Sequence, residues 1–389
     1  MIKRFLDLTK TLERKSLFLF GPRQTGKTTF LRHTYPDAIY INLLNTQLQI
    51  ELSDEPYRLN QIIDANKSKS LIIIDEIQKV PILLDEVQNI IQQNRSFRFI
   101  LTGSSARKIK KAGINLLGGR AKIMNFSPFI YPEYSSANIA IHKVLQWGAL
   151  PQVVLSDDPK SEIIDYISVF LREEIKAESL VRSLAQFSKF LELAATTVSE
   201  QIVYDSLCSD VGVSAPTIKE YFQILEDTLV GHRLYPYSKT TKRKALVSPK
   251  FYFFDVGIGN ALLKRFTLHE KTSEYGTACE QYIFQEISAF ISQNDKILML
   301  YYWRSYDKYE IDFVVEQEDE SLALIEVKAS KKITSKHLSG INAFCEEKEV
   351  RIDKKIVVCF ESTKRVMNQE VIVYPFVEFL NDLWKNNII

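Results

Sequence analysis

Apolar positions along the chain fall first into short, uninterrupted runs. Leu17-Phe18-Leu19-Phe20 ends in a glycine loop, and Ala38-Ile39-Tyr40-Ile41-Asn42 follows. Leu71-Ile72-Ile73-Ile74-Asp75 is a continuous β-rich run of the kind buried on both faces of a parallel sheet. Residues 97–102 and 121–125 read as two more strands. Between the third run and the fourth, Leu83, Leu84, Val87, Ile90 and Ile91 recur at the spacing of an amphipathic helix. Strands alternating with helices predict a doubly wound parallel α/β domain over residues 1–130.

The pattern changes from about Ser127. Pro128, Pro132 and Gly148-Ala149-Leu150-Pro151 punctuate a mostly helical stretch, read as a linker or lid over 131–185. Helical periodicity dominates 161–230, and a separate helical domain is placed at 186–248. After Pro249 strands return, at 251–254, 298–303, 311–315, 322–327 and 355–360. Helices at about 276–291 and 337–347 sit among them, giving a carboxyl-terminal α/β domain over 249–389.

Composition narrows the function classes. The 389 residues exceed one ordinary core, and 46% hydrophobic with 25% charged residues fit a globular chain. Lys and Arg number 50 against 48 Asp and Glu, a net +2, so no global field draws in DNA or an anionic membrane. Any nucleic-acid contact must come from a local basic patch. Cys208, Cys279, Cys345 and Cys359 lie far apart with no CxxC, which argues against zinc fingers and a disulfide framework and fits a reducing cytosol. No apolar run reaches the ~18–20 residues of a membrane span. Met1-Ile2-Lys3-Arg4 leads into polar sequence rather than a signal-peptide core. The expectation is a cytoplasmic protein of several domains with no membrane contact.

The strongest chemical signal is Gly21-Pro22-Arg23-Gln24-Thr25-Gly26-Lys27-Thr28, a GxxxxGK[ST] match between a predicted strand and a predicted helix. With Thr29 it would cradle the phosphates of ATP: glycines let backbone N–H groups close around them, and the helix N-terminus adds partial positive charge. Lys27 would reach the β- and γ-phosphates and the Thr28 hydroxyl would ligate Mg²⁺. The apolar run at Leu71 delivers Asp75 and Glu76 at a strand's carboxyl end, where open α/β sheets bind ligands. Asp75 would hold Mg²⁺ through water and Glu76 would orient and polarise the attacking water. In Phe99-Ile100-Leu101-Thr102-Gly103-Ser104-Ser105, Thr102 and Ser104 would set polar groups near the γ-phosphate, or else form a turn with helix N-caps. Arg120, after Gly118-Gly119, would stabilise transition-state charge in cis or from a neighbouring subunit; a surface or ion-paired arginine is the equal alternative.

The order GPRQTGKTT, LIIIDEIQKVP, FILTGSSA and LLGGRA resembles bacterial and archaeal P-loop ATPases with an AAA-type core fused to a carboxyl-terminal domain of unknown function. Trp147-Gly148-Ala149-Leu150-Pro151 resembles that family's GG-x-P element, with Trp147 in place of the first glycine. Residues 248–257 resemble its SPK-x-YF-x-D-x-G element. The likeness runs nearly the whole chain and implies ATP binding with hydrolysis, without supplying a physiological substrate.

Residues 202–230 resemble a helix-turn-helix: a helix at 202–208, a turn at Val211-Gly212-Val213-Ser214, and a second helix at 215–225 carrying Thr217, Lys219, Glu220 and Gln223. Residues 229–234 read as the first strand of a wing, followed by Lys239, Lys242, Arg243, Lys244 and Lys250. In a winged helix the second helix enters the major groove and the wing touches phosphates. Glu220 and Glu226 would then sit near phosphates, which counts against DNA. The alternative is a protein-packing module with a solvated basic loop.

Farther on, Glu280 lies on a predicted helix, Asp312 in a strand, and Glu326 and Lys328 in an ExK triplet whose period-two alternation puts both on one face. The helix–strand–strand order resembles the PD-(D/E)xK nuclease fold. Glu280, Asp312 and Glu326 would bind Mg²⁺, and Lys328 would position or help activate a water for phosphodiester cleavage. His337 and Ser339 would support the site from the next helix, or be structural. The alternative is a retained fold that does not cut. Together these features predict an ATPase whose nucleotide state controls a module engaging double-stranded or branched DNA. The competing reading is a nucleotide-controlled switch contacting a protein partner, and a homo-oligomer would let Arg120 act in trans.

Overall fold

The structure, a computed structural model, describes residues 2–389 except 67, 105–118, 171–174, 176–180, 239–247, 295 and 369. Ser105, Gly118, Lys239, Lys242, Arg243 and Lys244 lie outside the described residues. The chain divides into two compact units.

The first unit comprises Lys3–Pro128 with Asp227–Leu229. Its sheet contains β1 (Ser16–Phe20), β2 (Ile39–Asn42), β3 (Leu71–Asp75), β4 (Arg98–Gly103) and β5 (Ala121–Asn125), in the order β2-β3-β4-β1-β5. All four pairings are parallel. Alternation sorts the apolar side chains onto the two faces. Phe18, Phe20, Ile72, Ile74, Phe99 and Leu101 join one core with Leu83, Leu84, Val87 and Ile90 of helix Leu83–Gln93. Leu17, Leu19, Ile73 and Ile100 join another with Phe30 and Leu31 of helix Lys27–Thr34. Burial on both faces explains why these strands read as unbroken apolar runs. The chain leaves β1 for a strand on one side and β5 returns on the other, so the carboxyl end of β1 opens at a topological switch point.

The second unit carries Phe129–Glu226 and Val230–Ile389. Helices Leu184–Thr196, Tyr204–Val211 and Ala215–Asp227 are followed by an antiparallel pair, β6 (Gly231–Leu234) and β7 (Lys250–Phe253). Gly212, at φ +79°, closes the second of these helices in the left-handed region that glycine favours. After helix Ser273–Gln293 come β8 (Met299–Arg304), β9 (Glu310–Glu316), β10 (Leu322–Val327), β11 (Ile352–Cys359), β12 (Arg365–Met367) and β13 (Val371–Pro375). They form one mixed sheet in the order β12-β13-β11-β10-β9-β8. Along β10, Ala323, Ile325 and Val327 pack into the core holding the long helix, while Leu322 and Leu324 pack with Ile341 and Phe344 of helix Ser339–Glu347. A single core runs from Phe129 through the helical segment to Ile389, so packing is continuous across 185 and 248. The strands β12 and β13 and the helix Phe376–Trp384 lie beyond the last strand expected from the sequence. Among the described residues no helix is long and apolar enough to cross a membrane. The cysteines are free, with Cys279 and Cys359 buried.

Two buried carboxylates tie this unit together. Asp255 caps helix Val256–Leu262 through Gly257 N–H (2.9 Å) and accepts from Ala149 N–H (2.7 Å). A Cβ on Gly148 would lie 1.8 Å from its Oδ1, so glycine there is required by the close approach. Glu286, fully buried, accepts from Tyr131 N–H (2.9 Å), Tyr282 Oη (2.6 Å) and Trp384 Nε1 (2.6 Å). Burial pushes Asp255 up to about 6, against three backbone donors, and Glu286 up to about 7, against its hydrogen bonds. A carboxyl raised on folding stabilises below its unfolded pKa and loses that contribution as pH rises through its folded value. His232, pulled down by burial, acts oppositely, losing stability as pH falls. The expected result is a melting temperature several degrees higher near pH 5.5 than near pH 8, because most other carboxylates are ionised in both states over that range. Glu286→Gln is expected to flatten that slope; scanning calorimetry across pH checks it, and an unchanged slope contradicts the assignment.

Candidate functional site

The phosphate loop leaves β1 at its switch-point end. Gln24 (φ +60°) and Gly26 (φ +91°) take left-handed backbone, turning the chain back on itself before helix Lys27–Thr34. Thr25 Oγ1 donates to Pro22 O (2.9 Å), and Lys27 Nζ donates to Gly21 O (2.6 Å) and Pro22 O (2.8 Å). Gly21 has no room for a side chain, since a Cβ would lie 2.4 Å from Phe126 O. Arg4 braces the loop from outside, donating to Thr25 O (2.8 Å) and Ser127 O (2.8 Å) with its guanidinium 4.1 Å from the Phe126 ring centre. Arg23 is half-buried, while Thr28 and Thr29 are exposed on the first helical turn.

The acidic pair comes from β3. Asp75 is buried and accepts from Thr28 Oγ1 at 2.8 Å, joining the end of β3 to the start of the loop helix. Its other donors are the Tyr40 hydroxyl, near the end of β2, and the Thr102 hydroxyl, near the end of β4. Burial first, then the Asp75 carboxylate, pushes the Tyr40 phenol up to about 12, so it stays a donor. Glu76 follows at φ +62°, its N–H donating to Thr102 Oγ1 (3.3 Å). Gln78 Nε2 donates to Glu76 Oε2 and lies 3.4 Å from Ser104 Oγ. Thr102 and Ser104 therefore address the acidic pair: Thr102 directly, Ser104 through Gln78. Tyr40 and Arg4 carry no motif that would have revealed them, whereas Gln78 falls within the LIIIDEIQKVP segment that carries the family resemblance.

Thr28 and Asp75 set hard oxygen donors side by side at the mouth of a loop shaped for phosphates, an arrangement that suits Mg²⁺ with a nucleoside triphosphate. Arg120 is elsewhere. β1 and β5 are parallel with Ser16 opposite Ala121, so Arg120 stands at the amino end of the sheet. The phosphate loop leaves the other end of β1, about 16 Å away at ~3.3 Å per residue. Arg120 lines a cleft of about 390 Å³ with Arg14, Lys15, Arg95 and Arg98. Of the roles expected for Arg120, in cis, from a neighbouring subunit or as a surface arginine, this register sets it apart from its own chain's phosphate loop.

The second cluster lies in the other unit. Asp312 of β9 accepts Val327 N–H at Oδ2 (2.8 Å), and its own N–H lies 3.4 Å from Glu326 Oε2. Glu326 Oε1 is 2.5 Å from Lys328 Nζ. The structure thus brings Asp312, Glu326 and Lys328 together at adjacent strands. Glu280, on helix Ser273–Gln293, accepts from Tyr252 Oη (2.7 Å). Lys250, expected in a basic phosphate-contacting run, is instead buried among these carboxylates, with Nζ 2.5 Å from Glu310, 3.1 Å from Glu280 and 3.7 Å from Asp312. Its side chain is 1% exposed. Arg304 Nη1 lies 3.3 Å from the other Glu310 oxygen. Burial and the Asp312 charge push Glu280 up to about 7 and Glu326 up to about 8. Every oxygen of Asp312, Glu310 and Glu326, and Oε1 of Glu280, already faces a protein donor or cation. Among the described residues no group of three or more His, Cys, Asp or Glu side chains is arranged to hold a metal. This arrangement does not fit the Mg²⁺ expected at Glu280, Asp312 and Glu326. His337 caps its own turn, Nδ1 accepting from Thr334 N–H (3.0 Å).

Comparison with known proteins assigns the segments one by one. Residues 13–135 match the family model described as AAA domain. This unit is an AAA-type, P-loop ATPase-like domain. Residues 138–269 match Domain of unknown function (DUF8612), and residues 275–379 match Domain of unknown function (DUF4143). An uncharacterized protein of Mycobacterium tuberculosis is 25% identical over 320 residues, covering 79% of this chain and 69% of its own. An uncharacterized protein of Methanocaldococcus jannaschii is 24% identical over 402 residues, covering 89% and 82%. Similar solved structures include AMPPCP-bound DnaA from Aquifex aeolicus (TM-score 0.30, 14% identity, 56% of this chain and 85% of that one). Another is a Signal Transduction ATPase with Numerous Domains from Pyrococcus horikoshii (TM-score 0.26, 13% identity, 73% and 48%).

Proposed function

We propose that the chain is a Mg²⁺-dependent ATPase whose nucleotide state controls a DNA-engaging module made of a winged-helix segment and a PD-(D/E)xK-like sheet. The observation that carries the ATPase reading is the 2.8 Å contact between Thr28 Oγ1 and Asp75. It sets the metal-holding hydroxyl and carboxylate at one point beside Lys27. In this scheme the loop N–H groups and Lys27 bind the phosphates, Thr28 and Asp75 hold Mg²⁺, and Glu76 orients the attacking water. Mg²⁺ supplies charge neutralisation between the phosphates. Arg120, remote from its own loop, serves the nucleotide of a second copy.

Helix Ala215–Asp227 supports the DNA reading, with Lys219 and Gln223 exposed. Glu226, which would repel phosphates, is paired with Arg233. A second reading, a nucleotide-controlled protein-interaction switch with a non-cutting nuclease-like sheet, is favoured by Lys250 among the carboxylates. ATP hydrolysis measured with and without double-stranded, branched and single-stranded DNA, each reaction also run on a gel, separates the two. Turnover stimulated several-fold by DNA is expected under the first. Turnover indifferent to every DNA, with all substrates intact, overturns it in favour of the second.

A further inference from the structure

We infer that Lys250 is a resident cation: its ammonium holds the position a divalent metal would take in the carboxylate cluster of Glu280, Glu310 and Asp312, so the cluster is complete without one. The inference rests on reading this sheet as PD-(D/E)xK-like.

Three features carry it. An ammonium offers three donors and no acceptor, and Nζ faces three carboxylates, at 2.5, 3.1 and 3.7 Å. Mg²⁺ instead requires near-octahedral oxygen ligation at about 2.0–2.1 Å, several ligands being water. A metal entering here would have to displace Nζ. Second, Lys250 is fixed at its root. All four residues of β7 are buried, Lys250 pairs with Leu234 of β6, and it bridges to Gln201 on its other side. A side chain 1% exposed on such a strand has no water to move into. Third, the neighbouring groups are arranged around the ammonium: Tyr252 Oη donates to the same Glu280 oxygen that Lys250 contacts, and Arg304 takes the Glu310 oxygen that Lys250 leaves. A buried cation with this many partners is stable where it is, whereas removing it strands uncompensated carboxylates.

Mn²⁺ titration of the full, nucleotide-free chain, read by the electron paramagnetic resonance of free Mn²⁺, tests this. Wild type and Asp312→Asn are expected to bind Mn²⁺ alike. Lys250→Met is expected to gain a site at least ten-fold tighter than any Asp312-dependent binding in wild type, and Lys250→Met/Asp312→Asn is expected to lose it. An Asp312-dependent site in wild type overturns the resident-cation role while leaving the PD-(D/E)xK-like reading standing. No gain in Lys250→Met overturns both, because the carboxylates then have no metal-holding arrangement to release. Lys250→Gln replaces the Met variant if that fails to fold, and the comparison of wild type with Asp312→Asn decides without either.

Discussion

Lys27→Ala is expected to weaken ATP binding by about two orders of magnitude and to take hydrolysis to background. Lys27 is 7% exposed, and its ammonium is held inside the loop by Gly21 O at 2.6 Å and Pro22 O at 2.8 Å. Those carbonyls hold the ammonium at the centre of the loop, where the β- and γ-phosphates would meet it. Truncating one member of a desolvated charge pair costs about 2–5 kcal/mol, and about 1.4 kcal/mol is tenfold in affinity. Titration calorimetry with ATP and a phosphate-release assay measure the two effects. The fold should survive, because Thr25, Arg4 and the two left-handed residues shape the loop independently of Lys27. A melting curve close to wild type would establish that. Hydrolysis unchanged in this variant would remove the phosphate loop from the mechanism.

The candidate nucleotide site, as an arrangement of residues, was largely legible in sequence because the chemistry proposed for it is local. A loop that wraps phosphates needs its glycines, lysine and hydroxyl at fixed offsets, and a buried parallel strand announces itself as an unbroken apolar run. Ile72, Ile73 and Ile74 show why: alternate residues enter opposite cores, so no polar position interrupts them. What escaped was set by tertiary pairing. Tyr40 lies in an ordinary strand, and only the alignment of Asn42 with Asp75 between β2 and β3 brings its hydroxyl to the carboxylate. Arg120 sits in a motif beside the other ATPase elements, but the parallel register of β5 on β1 sends it to the far end of the sheet. Lys250 misled most. It follows Lys239, Lys242, Arg243 and Lys244 in sequence and so reads as one of a solvated basic series. Its destination depends on β7 delivering it to Glu280 and Asp312, which come much later in the chain. Among the last elements, β12 escaped for another reason: it spans only Arg365–Met367, too short for a two-residue period to show.

Glu76→Gln is expected to lower turnover by about 10²–10⁴-fold while leaving ATP affinity within a few-fold of wild type, the size of effect that a positioned base contributes. Asp75 and Glu76 are neighbours in sequence but face different tasks. Asp75 is buried and accepts from the Thr28, Tyr40 and Thr102 hydroxyls, three of the roughly four acceptor sites of a carboxylate, which leaves one for a water of a cation's shell. Glu76 turns out of the strand at φ +62° and keeps a half-buried carboxylate, engaged by Gln78 at one oxygen. Gln78 in turn reaches Ser104, just past the end of the adjacent β4, so the carboxylate's direction is tied to that strand. An amide in place of the Glu76 carboxylate would keep the size and one acceptor but would take no proton and carry no charge, so binding and catalysis part company. Pre-steady-state phosphate release alongside equilibrium ATP binding reads the two separately. Turnover that survives would show that the water is oriented without Glu76, and affinity that falls in step with turnover would assign Glu76 to holding the nucleotide. Gln78→Ala refines the result: if Gln78 aims the carboxylate, turnover should fall in that variant by a smaller factor, again with affinity intact.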